Sequence, residues 1–182
     1  DLDVDGRLFP KCISGNRGAM ESQKARRLAQ LLKALCCEHH LTVAVAESLT
    51  GGLLGAQIST TPGSSEYFLG GIISYSVTIK QEILKVSEDT INVHGVVSAQ
   101  CAEEMARGVR RLCGAEIGIA LTGYAGPASH ESEKVGEVWI SVVDSEGAFT
   151  SRYCFGDVGR DVVRQKTVEQ ALEDLVACAH QR

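Results

Sequence analysis

Ser48 is the residue of this sequence best placed to act as a nucleophile. It follows a short apolar run, 41–46, that is typical of a buried strand, and it precedes Gly51 and Gly52, which open a helical stretch. Glycines at a helix start let backbone N–H groups approach a ligand, and the helix dipole favours an anion there. A hydroxyl beside such donors has a ready oxyanion hole. A helix cap is the competing interpretation of Ser48 or Thr50, and the local sequence alone favours it.

A nucleophilic serine needs a base to take its proton, and Lys80 is the candidate. The loops at 47–52, 62–65 and 122–127 are rich in Gly, Ser and Thr, and none of them contains a histidine. A lysine that is desolvated in a pocket can be neutral near pH 7, whereas the ordinary expectation is a solvated surface lysine. The glycine-rich segments match no Walker or dinucleotide fingerprint. Residue types alone therefore leave the identity of the base open.

The composition of the chain excludes several function classes. Its 182 residues carry 18 Lys and Arg against 23 Asp and Glu, and the net charge of −5 gives no global field for nucleic acid or a membrane surface. No apolar run approaches the ~20 residues of a membrane span. Seven cysteines without a CxxC pair indicate neither a metal nor a redox site, and they favour a reducing, cytoplasmic setting. We therefore expect a soluble globular domain.

Strands and helices alternate along the chain, which predicts a three-layer α/β/α domain with a mixed sheet. Apolar spacing predicts helices at about 22–39, 53–59, 78–86, 98–112 and 160–179, and strands at 41–46, 67–76, 116–121, 137–143 and 148–155. Leu31 and Leu112 are expected on the apolar faces of their helices. Residues 1–20 have no periodic apolar face and are predicted to form a flexible tail, with the domain at 21–182.

Several segments together resemble the CinA C-terminal domain family, which includes stand-alone deamidases of nicotinamide mononucleotide (NMN). They read AESLTGG (46–52), PGSS (62–65), FLGGIISYS (68–76) and TGYAGP (122–127), and shorter matches follow at 95–98, 136–139 and 155–157. Each segment is a weak signal alone, but together they occur in the family's order. The resemblance covers about residues 23–176.

The resemblance implies an amidohydrolase, with no metal or cofactor, that converts NMN to nicotinic acid mononucleotide and ammonia through a Ser/Lys pair. It implies Ser48 as the nucleophile and Lys80 as its base, with Tyr75 and Thr122 beside them in the catalytic site. The substrate contacts that it implies are Glu47, Thr50, Gly51, Gly52, Gly123, Arg160 and Arg164, where the amides near the two loop glycines hold the oxyanion and an arginine meets the phosphate. Solvated arginines in the first helical turn are the alternative for the last two. The family's usual association implies a homodimer or a larger homo-oligomer.

The sequence departs from the family pattern in three places. Leu49 stands where the family usually has cysteine, which leaves the Ser48 hydroxyl as the nucleophile. Residues 77–79 replace an Asn-Glu-Ala triplet, and an amide that could orient substrate is lost with it. The 128–136 segment lacks the family's Gly-Gly and its proline. Two alternatives therefore stay open: a non-catalytic nucleotide-binding or scaffold protein, and a hydrolase of another small phosphorylated amide.

Overall fold

A five-stranded mixed sheet organises the chain, in a computed structural model that describes residues 22–182. The strands are β1 (Val43–Glu47), β2 (Phe68–Ile73), β3 (Ile117–Gly123), β4 (Glu137–Val143) and β5 (Ala148–Cys154), and their order across the sheet is β2-β1-β3-β4-β5. β1 runs parallel to β2 and β3, whereas β4 runs antiparallel to β3 and β5. The predicted tail, residues 1–20, lies outside the described residues.

Helices cover both faces of the sheet, so the predicted three-layer α/β/α architecture is confirmed. The helices are α1 (Gln23–Glu38), α2 (Leu53–Ser59), α3 (Val77–Glu82), α4 (Glu88–His94), α5 (Ala99–Cys113) and α6 (Arg160–His180). α1, α2 and α6 pack together on one face, and α5 covers the central strands on the other. The first layer buries Leu32, Ile119 and Leu172, and the second buries Met105 and Ala120. Each fully buried large side chain contributes about 1.5–3 kcal/mol to stability.

Two predicted helix-face residues are wrong in detail. Leu31 is 47% exposed and Leu112 is 54% exposed. The buried stripe of α5 runs through Met105 and Val109, and Cys113 continues it, so Leu112 lies beside the stripe and faces solvent. The apolar pattern thus predicted these two helices correctly, but it made the buried face of each helix one residue too wide.

The segment between β2 and α5 also differs from the prediction. β2 ends at Ile73, because the next three residues form the turn in which Ser76 caps α3. α3 ends at Glu82, and Lys85 adopts a left-handed φ of 62°, which is incompatible with a helix continuing to residue 86. α4, which begins after its N-cap Ser87, was not predicted from the sequence. Its signals are a capping serine and two acidic residues in the first turn rather than an apolar period.

The three parallel strands end at the same edge of the sheet. Ser48 directly follows β1, Tyr75 lies two residues beyond β2, and Tyr124 directly follows β3. Because β4 is antiparallel to β3, its first residue, Glu137, lies at this edge as well. Ligands bind at the carboxyl ends of parallel strands in open α/β sheets, so the topology brings the predicted site residues to one location.

Candidate active site

Ser48 and Lys80 meet at this edge. The Ser48 amide donates to the Leu121 carbonyl oxygen at 3.1 Å, which continues the pairing of β1 with β3 beyond the last strand residue. Lys80 lies in α3, and its Nζ is 3.1 Å from Ser48 Oγ. The same amine donates to the Ser74 carbonyl oxygen, which fixes its direction. The two side chains that the sequence analysis singled out as nucleophile and base are therefore in hydrogen-bond contact.

Lys80 is a buried lysine, with only 2% of the residue exposed. Burial lowers its pKa below that of an ordinary lysine, and the nearby thiol of Cys101 opposes this shift to a smaller extent. Burial raises the pKa of Cys101 to about 11, so this thiol stays neutral at pH 7. Lys80 therefore loses its proton more readily than a surface lysine, as a general base requires.

A buried carboxylate anchors the loop of residues 48–52, called the Ser48 loop below. Glu47 is 2% exposed, and its two oxygens accept hydrogen bonds from Thr50 Oγ1 at 2.6 Å and from the amides of Leu54 and Gly55 at 2.9 and 3.0 Å. These amides belong to the first turn of α2, where N–H groups have no partner within the helix. Glu47 thus satisfies the hydrogen-bonding groups of Thr50 and of the start of α2. Neither the Glu47 nor the Thr50 side chain lines the cleft beside Ser48.

Arg164 of α6 holds the Ser48 loop from outside. Its Nε donates to the Leu49 carbonyl oxygen and its Nη2 to that of Thr50, each at 3.1 Å. Asp161, one turn earlier, lies 3.6 Å from the same guanidinium. A guanidinium presents its donors in a fixed fork, so it locks two consecutive carbonyl groups in place. Arg164 therefore positions the loop and lies outside the lining of the cleft beside Ser48, and its phosphate contact stays a prediction.

The two glycines of the Ser48 loop adopt φ values of 59° (Gly51) and 104° (Gly52), which L side chains rarely adopt. The predicted oxyanion donors are the amides near these two glycines, and among them the Gly51 amide is already engaged, because it donates to the Ser48 carbonyl oxygen at 3.1 Å. Within residues 22–182 the amides of Leu49, Thr50 and Gly52 have no hydrogen-bond partner. These three amides are the donors that the loop leaves available.

A cleft of about 190 Å³ opens beside Ser48 and is called the Ser48 cleft below. Its lining comprises Ser48 and Leu49 after β1, Tyr75 after β2, residues 123–127, Ser129 and Glu133 after β3, and Arg160 of α6. Arg160 donates to the Gly126 carbonyl oxygen at 2.8 Å and to the Tyr75 hydroxyl at 3.0 Å. The Arg160 guanidinium thus joins two walls of the cleft and places a fixed positive charge in it.

A larger cavity, of about 320 Å³, lies between the β4–β5 hairpin and the end of α6. Its carboxylates are already engaged, because Asp144 pairs with Arg182 and Asp174 accepts from the Tyr153 hydroxyl at 2.9 Å. The Cys178 thiol in this cavity donates to Asp144 at 3.5 Å, but burial raises the pKa of Cys178 to about 11, so the thiol is a poor nucleophile at pH 7. The smaller Ser48 cleft therefore remains the candidate active site.

The predicted residues thus divide into those that line the cleft or contact Ser48 and those that lie outside the cleft lining. Ser48, Tyr75, Gly123 and Arg160 line the cleft, and Lys80 contacts Ser48. Thr122 is 1% exposed and donates to the Val96 carbonyl oxygen at 2.7 Å, directly behind Gly123. Glu133 and Tyr124 line the cleft but were missed as site residues, although Tyr124 lies within the TGYAGP segment.

Residues 22–182 contain neither a metal-binding cluster nor a membrane-spanning helix. No group of three or more His, Cys, Asp or Glu side chains in this range could hold a metal ion. Among the helices of the same range, none is both long enough and apolar enough to cross a membrane.

Comparison with solved structures supports the same fold. The crystal structure of the competence/damage inducible protein CihA from Agrobacterium tumefaciens matches with a TM-score of 0.84 and 31% identity, over 88% of this chain and 98% of that one. A CinA superfamily protein from Klebsiella pneumoniae matches with a TM-score of 0.83 and 28% identity, over 88% of this chain and 100% of that one.

Sequence comparison identifies the family. A CinA-like protein of Thermotoga maritima is 41% identical over 151 residues, which is 82% of this chain and 36% of that protein. The chain therefore spans about a third of the length of the curated relatives it matches. The family model for the CinA C-terminal domain matches residues 25–179. This chain belongs to the CinA C-terminal domain family.

Proposed function

We propose that this domain is an amidohydrolase that converts NMN to nicotinic acid mononucleotide and ammonia through Ser48 and Lys80. The observation that carries the proposal is the 3.1 Å contact between Lys80 Nζ and Ser48 Oγ, made by a lysine that is almost fully buried. A serine with an adjacent base of lowered pKa is the arrangement that nucleophilic catalysis needs. The substrate follows from the family resemblance, and the charges of the cleft support it.

In the proposed reaction, neutral Lys80 accepts the Ser48 proton while Ser48 Oγ attacks the carboxamide carbon. The tetrahedral intermediate collapses when the C–N bond breaks and Lys80 returns the proton to the departing nitrogen, which leaves as ammonia. The acyl group remains on Ser48 as an ester. A water molecule, deprotonated by Lys80, then attacks the ester carbon. Breakage of the ester C–O bond, with transfer of the proton from Lys80 to Ser48 Oγ, releases the carboxylic acid product, which ionises by losing its remaining proton to water.

The oxyanion of each tetrahedral intermediate needs donors near Ser48. The Leu49 amide directly follows the nucleophile in the chain, and the Gly52 amide belongs to the same loop. Neither has a partner within residues 22–182. We assign these two amides to the oxyanion hole. Glu47 and Arg164 hold the loop that carries them, so the donors are fixed before substrate binds, which is how such sites stabilise a developing charge.

Arg160 is the proposed phosphate contact. It places the one guanidinium in the lining of the Ser48 cleft, and its bonds to Gly126 and Tyr75 leave the remaining N–H groups of its five donors for a ligand. Arginine binds phosphate with a planar, bidentate geometry. We also assign Tyr75 and Gly123, which line the same cleft, to substrate binding. Thr122 acts through its contact with the Val96 carbonyl, which positions the segment that leads into the cleft.

The setting of the reaction is also proposed. All six cysteines within residues 22–182 are free thiols, which supports a reducing compartment, and we propose the cytoplasm. We propose a homodimer or larger homo-oligomer, because edge strand β2 exposes Leu69 and Ile73. The proposed ligand of the site is a small pyridine mononucleotide. We propose no nucleic-acid partner, no membrane partner and no cofactor.

Ammonia release from NMN, nicotinamide and glutamine tests the proposal. We expect release from NMN alone, because nicotinamide and glutamine lack the phosphate that Arg160 would bind. A Ser48→Ala variant should bind NMN and release nothing. Binding of NMN without ammonia release from the parent protein would contradict the proposal and favour a non-catalytic nucleotide-binding protein. Release from another phosphorylated amide, but not from NMN, would reassign the substrate.

A further inference from the structure

Glu133 places a carboxylate in the Ser48 cleft that the proposed mechanism does not use. Its Oε2 accepts a hydrogen bond from the Ser129 amide at 2.6 Å, and its own amide donates to the His130 carbonyl oxygen at 3.0 Å. The loop thus folds back on itself and holds the half-buried side chain at the cleft wall. A carboxylate that is fixed by its own loop is available to interact with a ligand.

The surroundings of Glu133 leave its charge uncompensated. No ion pair of Glu133 occurs between residues 22 and 182, although Arg160 lines the same cleft and bonds to Gly126 and Tyr75 instead. Burial, and to a smaller extent the charges of Glu133 and Glu137, raises the pKa of Tyr124, so this neighbouring phenol stays neutral. The cleft therefore presents one negative and one positive side chain that are not paired with each other.

We propose that Glu133 is a specificity residue that makes the cleft select a positively charged, N-substituted pyridinium ring over an uncharged ring of the same shape. The inference rests on the proposed function and extends it. A pyridine mononucleotide is a dipolar ligand, with a cationic ring at one end and a phosphate at the other. The two unpaired charges of the cleft, Glu133 and Arg160, match that pattern. Charges interact more strongly in a partly desolvated cleft than in water, so the match favours the cationic ring.

The alternative use of a carboxylate in such a cleft is to accept hydrogen bonds from the ribose hydroxyls. The two roles differ in what they sense, because a hydroxyl contact depends on the sugar and a charge contact depends on the ring. NMN and its reduced form share the sugar and the phosphate, and only the ring of NMN is charged. The pair of ligands therefore separates the two roles.

The test measures the Kd of NMN and of reduced NMN by calorimetry in a Ser48→Ala background, which prevents turnover. Glu133→Gln keeps an oxygen that can accept from the Ser129 amide and removes only the charge. We expect this change to weaken NMN binding about tenfold and to leave the Kd of reduced NMN unchanged. Glu131→Gln removes an exposed carboxylate from the same loop, and it should change neither Kd.

Glu133→Asp, which restores the charge, should recover most of the preference for NMN. Equal weakening of both ligands by Glu133→Gln would overturn the proposal in favour of a hydroxyl contact, and unchanged affinity for both would overturn it outright. The test is independent of turnover. If the parent protein binds NMN with this charge preference but releases no ammonia, the deamidase proposal fails while the assignment of Glu133 stands.

Discussion

The Ser48 loop and the loop of residues 124–136 lie at the same edge of the sheet but are anchored in different ways. Glu47 and Arg164, two charged side chains from outside the Ser48 loop, together make five hydrogen bonds to the loop and the start of α2. The 124–136 loop is held by backbone bonds at its two ends, by the bond between Ser129 and Glu133 within it, and by one outside side chain, Arg160, which donates to the Gly126 carbonyl oxygen.

This difference separates the chemistry from the recognition. Buried charged groups are costly to disturb, so the proposed nucleophile and the amides of its loop are fixed by the interior of the fold. Short-range bonds within an exposed loop tolerate substitution, so the surface that faces a ligand can vary at little cost in stability. We therefore expect changes near Ser48 to affect kcat and stability, and changes in the 124–136 loop to affect ligand choice.

The largest effect is expected from removing either member of the catalytic pair. Ser48→Ala removes the nucleophile, and Lys80→Met removes the base while filling the same buried volume. Each should lower kcat for ammonia release by about 10³-fold or more, and the double variant should be little worse, since the two residues act as one unit. Circular dichroism and Tm should show that both variants remain folded. A Lys80→Met variant with near-parental kcat would contradict the pairing.

The pH dependence of kcat/KM should report the protonation of Lys80. Because the base must be neutral, kcat/KM should rise about tenfold per pH unit on the acidic side and level off at a lowered lysine pKa. The same lowered pKa makes stability depend on pH. Between that pKa and about 10.4, the unfolded chain binds more protons than the folded chain. The free energy of unfolding should therefore rise with pH across that window. Urea titrations at several pH values check this, and the Lys80→Met variant should lack the rise.

A smaller effect is expected at Glu47. Glu47→Gln keeps the size of the side chain but turns an NH₂ group towards donors, so the amides of Leu54 and Gly55 cannot both be satisfied. We expect a loss of about 2–3 kcal/mol in the free energy of unfolding and a fall in kcat of about tenfold, because Ser48 moves with its loop. Urea denaturation measures the first and ammonia release the second. Glu38→Gln, an exposed carboxylate on α1, is the matched control and should change neither.

The smallest effects are expected from replacing, one at a time, two arginines that lie one turn apart on α6. Lysine keeps the charge but lacks the fork of donors. Arg164→Lys should lower kcat about fivefold with KM nearly unchanged, because Leu49 and Thr50 lose a shared donor. Arg160→Lys should raise KM about fivefold with kcat nearly unchanged, because its contact is with the ligand. Steady-state kinetics with NMN separate the two, and the same pattern for both variants would remove the distinction between anchoring and recognition.

Local signals in the sequence predicted much of this fold. The bounds of α2 were predicted correctly, and the capping role of Ser98 at α5 was confirmed, because these features depend on neighbouring residues alone. The hairpin of β4 and β5 was predicted for the same reason, since its turn at Asp144 closes through bonds within four residues. α4 was missed because its single buried residue, Thr90, gives no apolar period.

The site was only partly predictable. Residue types and positions made Ser48 and Lys80 candidates, and the family resemblance then assigned their roles. The lysine could not be distinguished from a surface lysine without the burial that tertiary structure supplies. The contact of Arg164 with Leu49 and Thr50 joins residues more than a hundred positions apart, so no local pattern indicates it. Glu133 was missed because a charged residue in a polar loop is ordinarily a solvated one.

The order of strands in the sheet has a consequence for how the protein reaches its active form. β4 and β5 are joined by a tight turn, whereas β1 must pair with β2 and β3, which lie far from it in the chain. Closing long loops slows folding, so we expect the parallel half of the sheet, which carries Ser48, to form after the hairpin. We therefore expect the proposed activity to recover last. In refolding experiments, the fluorescence of the single tryptophan, Trp139 on β4, should recover before ammonia release does.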